Sequence, residues 1–198
     1  MKEDVLEQLV DDYLQLKGYF TRHNIKYRPD DKHPEYIKLE DSNHSDIDVI
    51  GINPFLKGPD RVFAVSCKSW QAGFNPETWI ENIAKDKKIS GRKAWKFFRE
   101  LIVPKWSDAF LKAIKDTTGA DEFTYVTAVT YLNGVKDVWQ NHEPFVNAIK
   151  GNPIKIITFK EMIGDILPEL ATAVEGSQFS RTLQLLKASG YTVILKGG

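Results

Sequence analysis

Apolar residues recur at helical spacing from the start of the chain. Val5, Leu6, Leu9, Val10, Tyr13, Leu14 and Leu16 fall close to a 3.6-residue period and predict a helix over residues 3–17. Gly18 suits the position just past its end, where a left-handed residue closes the last turn. An extended stretch follows over 19–28 (YFTRHNIKYR), then a surface loop in which Pro29 and Pro34 bracket three charged residues and His33. A short strand is expected near Tyr36–Leu39, and two apolar strands occupy residues 46–68. Asn75 and Pro76 fit the cap and first position of a helix, opening a helical region that runs to about Lys115 with breaks at Ser90-Gly91 and Pro104. Residues 123–132 (FTYVTAVTYL) are β-rich and end at an Asn133-Gly134 turn signal. Glu143–Lys150 reads as a short helix, Ile154–Thr158 as a buried strand, Lys160–Ala173 and Gln178–Ala188 as helices, and Tyr191–Leu195 as a terminal strand. This order of elements predicts an α/β fold in which a mixed central sheet is flanked by helices on both sides. No repeat or long linker divides the 198 residues, so one domain is expected, with a core over about 1–158 and a C-terminal extension over about 159–198.

The densest chemistry lies between Ser45 and Lys68. Asp46 and Asp48 are two apart, so strand alternation puts both carboxylates on one face and Ile47 and Val49 on the other. Ser66 and Lys68 share a face by the same rule, with Val65 and Cys67 opposite. Pairing residue 48 with 66 centres the connection on residue 57, where Lys57, Gly58, Pro59 and Asp60 supply turn chemistry. Two carboxylates, a hydroxyl and an ammonium then meet on one patch of sheet. Such a set suits a hard divalent cation beside a phosphate, and therefore a nuclease.

Composition limits the partners. Hydrophobic residues make up 42% and charged residues 27%, as in an ordinary globular domain. No apolar run reaches the ~20 residues of a membrane span, and the acidic, amphipathic start MKEDVLEQL is unlike a secretory signal. A single cysteine rules out an internal disulfide framework and fits a reducing, cytoplasmic setting. Lys+Arg and Asp+Glu both number 27, a balance that argues against strong non-specific coating of DNA while leaving room for a local phosphate site.

Three segments resemble the PD-(D/E)XK, or restriction-endonuclease-like, superfamily, most closely its Mrr-like branch. LEQLVDDYLQLKGYF is similar to the opening helix of that branch, DIDVIG to the strand whose second aspartate holds the metal, and VSCKSW to the third motif with its lysine. The resemblance spans roughly the first seventy residues. It implies a restriction-endonuclease-like core (αβββαβ) and a nuclease using Mg²⁺, or Mn²⁺, to hydrolyse a nucleic-acid phosphodiester, DNA before RNA, in defence or repair; a homodimer is left open. It carries catalytic roles onto Glu7, Asp48, Ser66 and Lys68 and metal ligation onto Asp48 and Glu7, with Asp46 as a further candidate. The sequence departs from the family pattern at Ser66, where an acidic residue, or glutamine in the branch, is usual. Serine supplies only a neutral, short oxygen, so metal affinity is expected to fall unless Glu7 or Asp46 supplies the charge. The alternative is a module that keeps the fold, has lost the chemistry, and binds nucleic acid or a protein.

Lys85, Lys88, Arg92, Lys96 and Arg99 are spaced by three and four residues, which predicts a continuous basic stripe for phosphate contact if one helix persists through Ser90-Gly91. His44 alternates with Asp46 and Asp48 but has no second histidine nearby to complete a transition-metal set.

Overall fold

A computed structural model describes residues 4–170 and 177–190. The elements in chain order are α1 (Val5–Leu16), β1 (Phe20–Tyr27), α2 (Lys38–Asp41), β2 (Ser45–Ile52), β3 (Val62–Lys68), α3 (Pro76–Ala84), β4 (Lys88–Ile89), β5 (Arg92–Lys93), α4 (Pro104–Thr118), β6 (Thr124–Val129), α5 (Lys136–Gln140), α6 (Glu143–Ala148), β7 (Ile154–Thr158), α7 (Phe159–Glu169) and α8 (Gln178–Ala188). The main sheet has the order β1-β2-β3-β6-β7. The first three strands are antiparallel neighbours, and β3, β6 and β7 run parallel. Parallel strands need covered faces, and every residue of β6 is buried accordingly.

Local signals explain most boundaries. The Asp4 carboxylate caps α1 by accepting from the Leu6 N–H at 2.8 Å, and Gly18 ends it with φ 83°. Asn75 caps α3 through the Thr78 N–H, and Pro76 stands at its first position. Thr158 and Glu161 form a reciprocal capping box that starts α7 where β7 stops. Between β2 and β3, the Asn53 side chain accepts from the Phe55 N–H at 3.0 Å. Lys155 binds the Asp60 carboxylate at 2.8 Å, and the Tyr19 hydroxyl donates to the Asp60 carbonyl at 2.7 Å. The connection is thus pinned from two sides, which holds the hairpin register.

Apolar side chains fill both faces of the sheet. On one, Leu6, Leu9, Val10 and Leu14 of α1 pack with Val49, Phe63 and Val65 and with Met162, Ile163 and Ile166 of α7. On the other, Ile50, Ala64, Tyr125 and Ile156 meet Trp106, Phe110 and Ile114 of α4 and a ring group of Phe74, Trp79, Phe98 and Trp139. Buried phenylalanines such as Phe98 and Phe110 each contribute roughly 1.5–3 kcal/mol by leaving water. The segment assigned to a C-terminal extension joins this packing through α7, and Leu183 of α8 belongs to the same cluster.

The structure corrects three expectations. Residues 36–39 are not a strand: the chain there enters the short helix α2, because Asp41 folds back to accept from the Ile37 N–H at 2.8 Å. The helical region stops at Ala84 and resumes at Pro104 as α4, but between them the chain is not helical throughout: Ser90-Gly91 is the tip of a β-hairpin. A further short helix, α5, follows the Gly134 turn. The expected strand at 191–195 lies outside the described residues.

Candidate active site

The β2–β3 ladder pairs Ile52 with Val62 through to Val49 with Val65, the register that the turn chemistry predicts. It stops there because Asp48 substitutes its side chain for a ladder bond: the carboxylate accepts from the Cys67 N–H at 2.6 Å. On the other side, β1 pairs with β2 up to His23↔Val49 and again from Ile25↔Ile47, skipping the position across from Asp48. Asn24 stands there with φ 53°, a left-handed conformation that asparagine tolerates better than most residues. This break shifts the alternation. Ile47 packs with Ile50 on the α4 side of the sheet and Val49 on the α1 side, so the expected shared face of Ile47 and Val49 is not formed.

Asp46, Asp48, Ser66 and Lys68 line one cleft of about 200 Å³, together with His44, Arg92, Lys96, Arg99 and Glu100. Lys68 donates to the Ser66 hydroxyl at 2.8 Å and lies 5.0 Å from the centre of the Phe98 ring. It acts on Asp48 through space, not through a contact ion pair. Behind Ser66 sits a buried polar group. The Tyr125 hydroxyl donates to Glu100 Oε1 at 2.5 Å and the Tyr27 hydroxyl to Oε2 at 3.1 Å. Burial, then the Glu100 charge, hold both phenols well above the ordinary value of 10, so both remain donors.

Burial pushes the Asp48 carboxyl up to about 6; Lys68 and the Cys67 N–H oppose the rise, whereas Asp46 and Glu100 add to it. Charge of one sign is thus gathered at Asp48, with cations around the rim. Arg99 lies 4.6 Å from the Trp106 ring centre, and its buried Nε has no hydrogen-bond partner among the described residues. Burial and the neighbouring Arg92 both work against its charge. Tyr27, Glu100 and Asp41 act in the opposite sense.

The carboxylates and the hydroxyl facing the cleft offer oxygens, which a hard divalent cation prefers, and His44 adds an imidazole. Among the described residues, however, no three His, Cys, Asp or Glu side chains are grouped to hold an ion on their own. Mg²⁺ commonly uses one or two carboxylates and completes its shell with waters and substrate phosphate oxygens. Asp48 and Glu100 are the carboxylates that would take that role, and both already accept hydrogen bonds, Asp48 from the Cys67 N–H and Glu100 from Tyr27 and Tyr125.

The predicted site residues divide. Asp46 lines the cleft at its exposed edge. Glu7 is not among the residues that line it: the apolar side of α1 packs on the opposite face of the sheet, and the Glu7 charge reaches Cys67, which borders the cleft. Of the basic residues, Arg92, Lys96 and Arg99 reach the cleft. Lys85 instead ends α3 in an ion pair with Glu81, and Lys88 stands exposed on the hairpin. The continuous helical stripe does not form, because Ser90 (φ 50°) and Gly91 (φ 78°) take the two left-handed positions of a tight turn. Glu100 escaped sequence reasoning altogether. It lies 32 residues beyond Lys68 in a 3₁₀ turn, and no spacing rule connects it to the strands.

No family model, curated protein or solved structure matches the chain.

Proposed function

We propose that the protein is a divalent-metal-dependent nuclease acting on a phosphodiester held in the Asp48–Lys68 cleft. The observation that carries this reading is the convergence of Asp48, Lys68 and Glu100 in one cleft whose rim bears Arg92, Lys96 and Arg99. Asp48 and Glu100 would hold Mg²⁺ or Mn²⁺, with Glu100 taking the place open at neutral Ser66. When bound, the ion supplies a Lewis acid and a water acidic enough to attack at neutral pH. Lys68 is placed to stabilise charge developing on the phosphoryl oxygens, and its bond to Ser66 orients the ammonium. Arg99, with its orphaned Nε, and Arg92 grip the flanking backbone as positioning contacts. Tyr27 and Tyr125 fix the Glu100 carboxylate in a single orientation.

A competing reading, a binding module without chemistry, draws on the internal satisfaction of the site: Asp48 is occupied by Cys67, and Ser66 by Lys68. Nicking of supercoiled plasmid with Mg²⁺, with Mn²⁺ and with chelator decides between them. Metal-dependent nicking that is lost in Asp48→Ala and in Lys68→Ala, both variants folded by circular dichroism, is the expected result. No nicking with either ion, or undiminished nicking by either variant, rejects the nuclease.

A further inference from the structure

Asn24 is the one non-glycine residue within the described strands that has a positive φ, 53°. Ahead of it, the odd-numbered positions of β1 face α1: the Thr21 hydroxyl accepts from Gln15 at 3.4 Å, and His23 Nε2 lies 3.2 Å from the Asp11 carboxylate. Regular alternation would send residues 25 and 27 to that same face. They go to the other. Ile25 packs against the core on the α4 side, and the Tyr27 ring meets Trp106 and Phe110 of α4 edge-on at 6.0 and 5.5 Å. No residue is inserted, because the β1–β2 register is the same before and after the break. Both strands change face together: β2 switches between Val49 and Ile47, at Asp48, the residue across from Asn24.

This switch is what brings the Tyr27 hydroxyl to Glu100 Oε2, at 3.1 Å. It also leaves Asp48 outside both neighbouring ladders, with its carboxylate on the Cys67 N–H. An unbroken β1 would hold Tyr27 on the α1 face, and Glu100 would keep only the Tyr125 phenol as a donor. We propose that Asn24 is a positioning residue: its left-handed backbone re-phases β1 so that Tyr27 reaches and orients the Glu100 carboxylate. The proposal rests on the reading of Glu100 as a metal-holding group and adds the residue that sets it in place. The Asn24 amide makes no hydrogen bond among the described residues, so its contribution is conformational. Asparagine enters the left-handed region more readily than most residues, glycine does so without strain, and a β-branched residue there is an outlier. β1 is also an edge strand, and a kink at an edge can serve only to discourage pairing with another chain. That protective role needs no link to Tyr27.

A double-mutant cycle in urea separates the two roles without requiring catalysis. Tyr27→Phe is introduced into the wild-type, Asn24→Gly and Asn24→Val proteins. Its destabilisation is expected in full in the first two and at no more than about a fifth of that in Asn24→Val, where the strand returns to regular alternation. Asn24→Ala, which strains the left-handed position less, takes the place of Asn24→Val if that chain does not fold. An equal loss from Tyr27→Phe in every background overturns the proposal and leaves the kink a protective one. Plasmid nicking with Mg²⁺ adds a functional readout: kcat is expected to fall about tenfold in Asn24→Val and to return in Asn24→Gly, with KM and DNA affinity in chelator unchanged. A wild-type kcat in folded Asn24→Val, or a fall shared by Asn24→Gly, overturns the proposal. Absence of nicking by the wild-type protein rejects the nuclease reading alone, and the urea cycle still decides what Asn24 does.

Discussion

The Tyr125 hydroxyl donates to Glu100 Oε1 at 2.5 Å, joining the interior strand β6 to a residue 25 positions earlier in a 3₁₀ turn. Both partners are buried, Tyr125 wholly and Glu100 to 5% exposure. Hydrogen bonds to charged groups contribute about 1.5–3 kcal/mol. Tyr125→Phe is expected to lose an amount in that range in urea unfolding at neutral pH, with the m-value unchanged. If Tyr125 also orients Glu100 for function, the variant's metal-dependent nicking falls while its DNA affinity in chelator stays at the wild-type level. An unmoved midpoint would show that the bond contributes nothing.

Asp48 makes stability depend on pH in an unusual direction. Its carboxyl rises from the ordinary 3.8 to about 6 in the fold, chiefly through burial. The unfolded chain therefore gives up this proton first as pH rises, and between about 4 and 6 the folded state holds more protons. Stability from this group is greatest below that window and is lost as pH climbs through it. The full difference corresponds to about 3 kcal/mol, an upper figure because the side chain is not wholly buried. Asp48→Asn, which keeps an acceptor for the Cys67 N–H, is expected to melt at a higher temperature than wild type at pH 8. The gap should close near pH 4. Equal melting temperatures at both pH values would contradict the shift.

Asp41 anchors the short helix α2 beside the cleft. Its carboxylate accepts from Lys105 Nζ at 2.6 Å, from the Ile37 N–H at 2.8 Å and from Trp106 Nε1 at 3.1 Å, and it is 2% exposed. Removing one partner of a buried ion pair typically costs about 3–5 kcal/mol, because the other charge is left uncompensated. Asp41→Ala should therefore lose that amount in urea unfolding. The double variant Asp41→Ala with Lys105→Met should recover part of it, since no buried charge is then stranded. A loss below about 1 kcal/mol in the single variant would mean that water replaces the carboxylate.

The register of the β2–β3 hairpin was legible from the turn chemistry at 57–60, whereas the alternation expected through Ile47 and Val49 broke at Asp48. The capped starts of α3 and the limits of β7 and α8 followed from equally local rules. What misled was local agreement of the wrong kind. Cations spaced by three and four mimic a helix face, whereas two consecutive left-handed residues at 90 and 91 can only turn the chain. The loss of pairing at Asp48 was hidden because it depends on Asn24 of the neighbouring strand. Glu100 was hidden for the same physical reason. Its place in the cleft comes from the packing of Phe98 and Leu101 into the core on either side of it, a tertiary fact without a periodic trace.

Glu100 and Ser66 together give the sharpest test of the site. Ser66 is 8% exposed, its hydroxyl accepts from Lys68, and it lies beside the Tyr125 hydroxyl that holds Glu100. Ser66→Glu would force two more carbons and a second oxygen into this space, and overpacking alone costs about 1–3 kcal/mol. It would also set a third carboxylate against Asp48 and Glu100, and like charges in one site resist joint ionisation. The single variant is therefore expected to be less stable than wild type without metal. Adding Glu100→Ser removes the competing charge, frees volume, and leaves Tyr27 and Tyr125 to donate to the new carboxylate. The two changes should then be non-additive, with a favourable coupling of at least about 1 kcal/mol in a double-mutant cycle. In plasmid nicking, Glu100→Ser alone should be inactive and the double variant active with Mg²⁺ or Mn²⁺. Strict additivity in stability, together with an inactive double variant, would mean that residues 66 and 100 do not share one functional position.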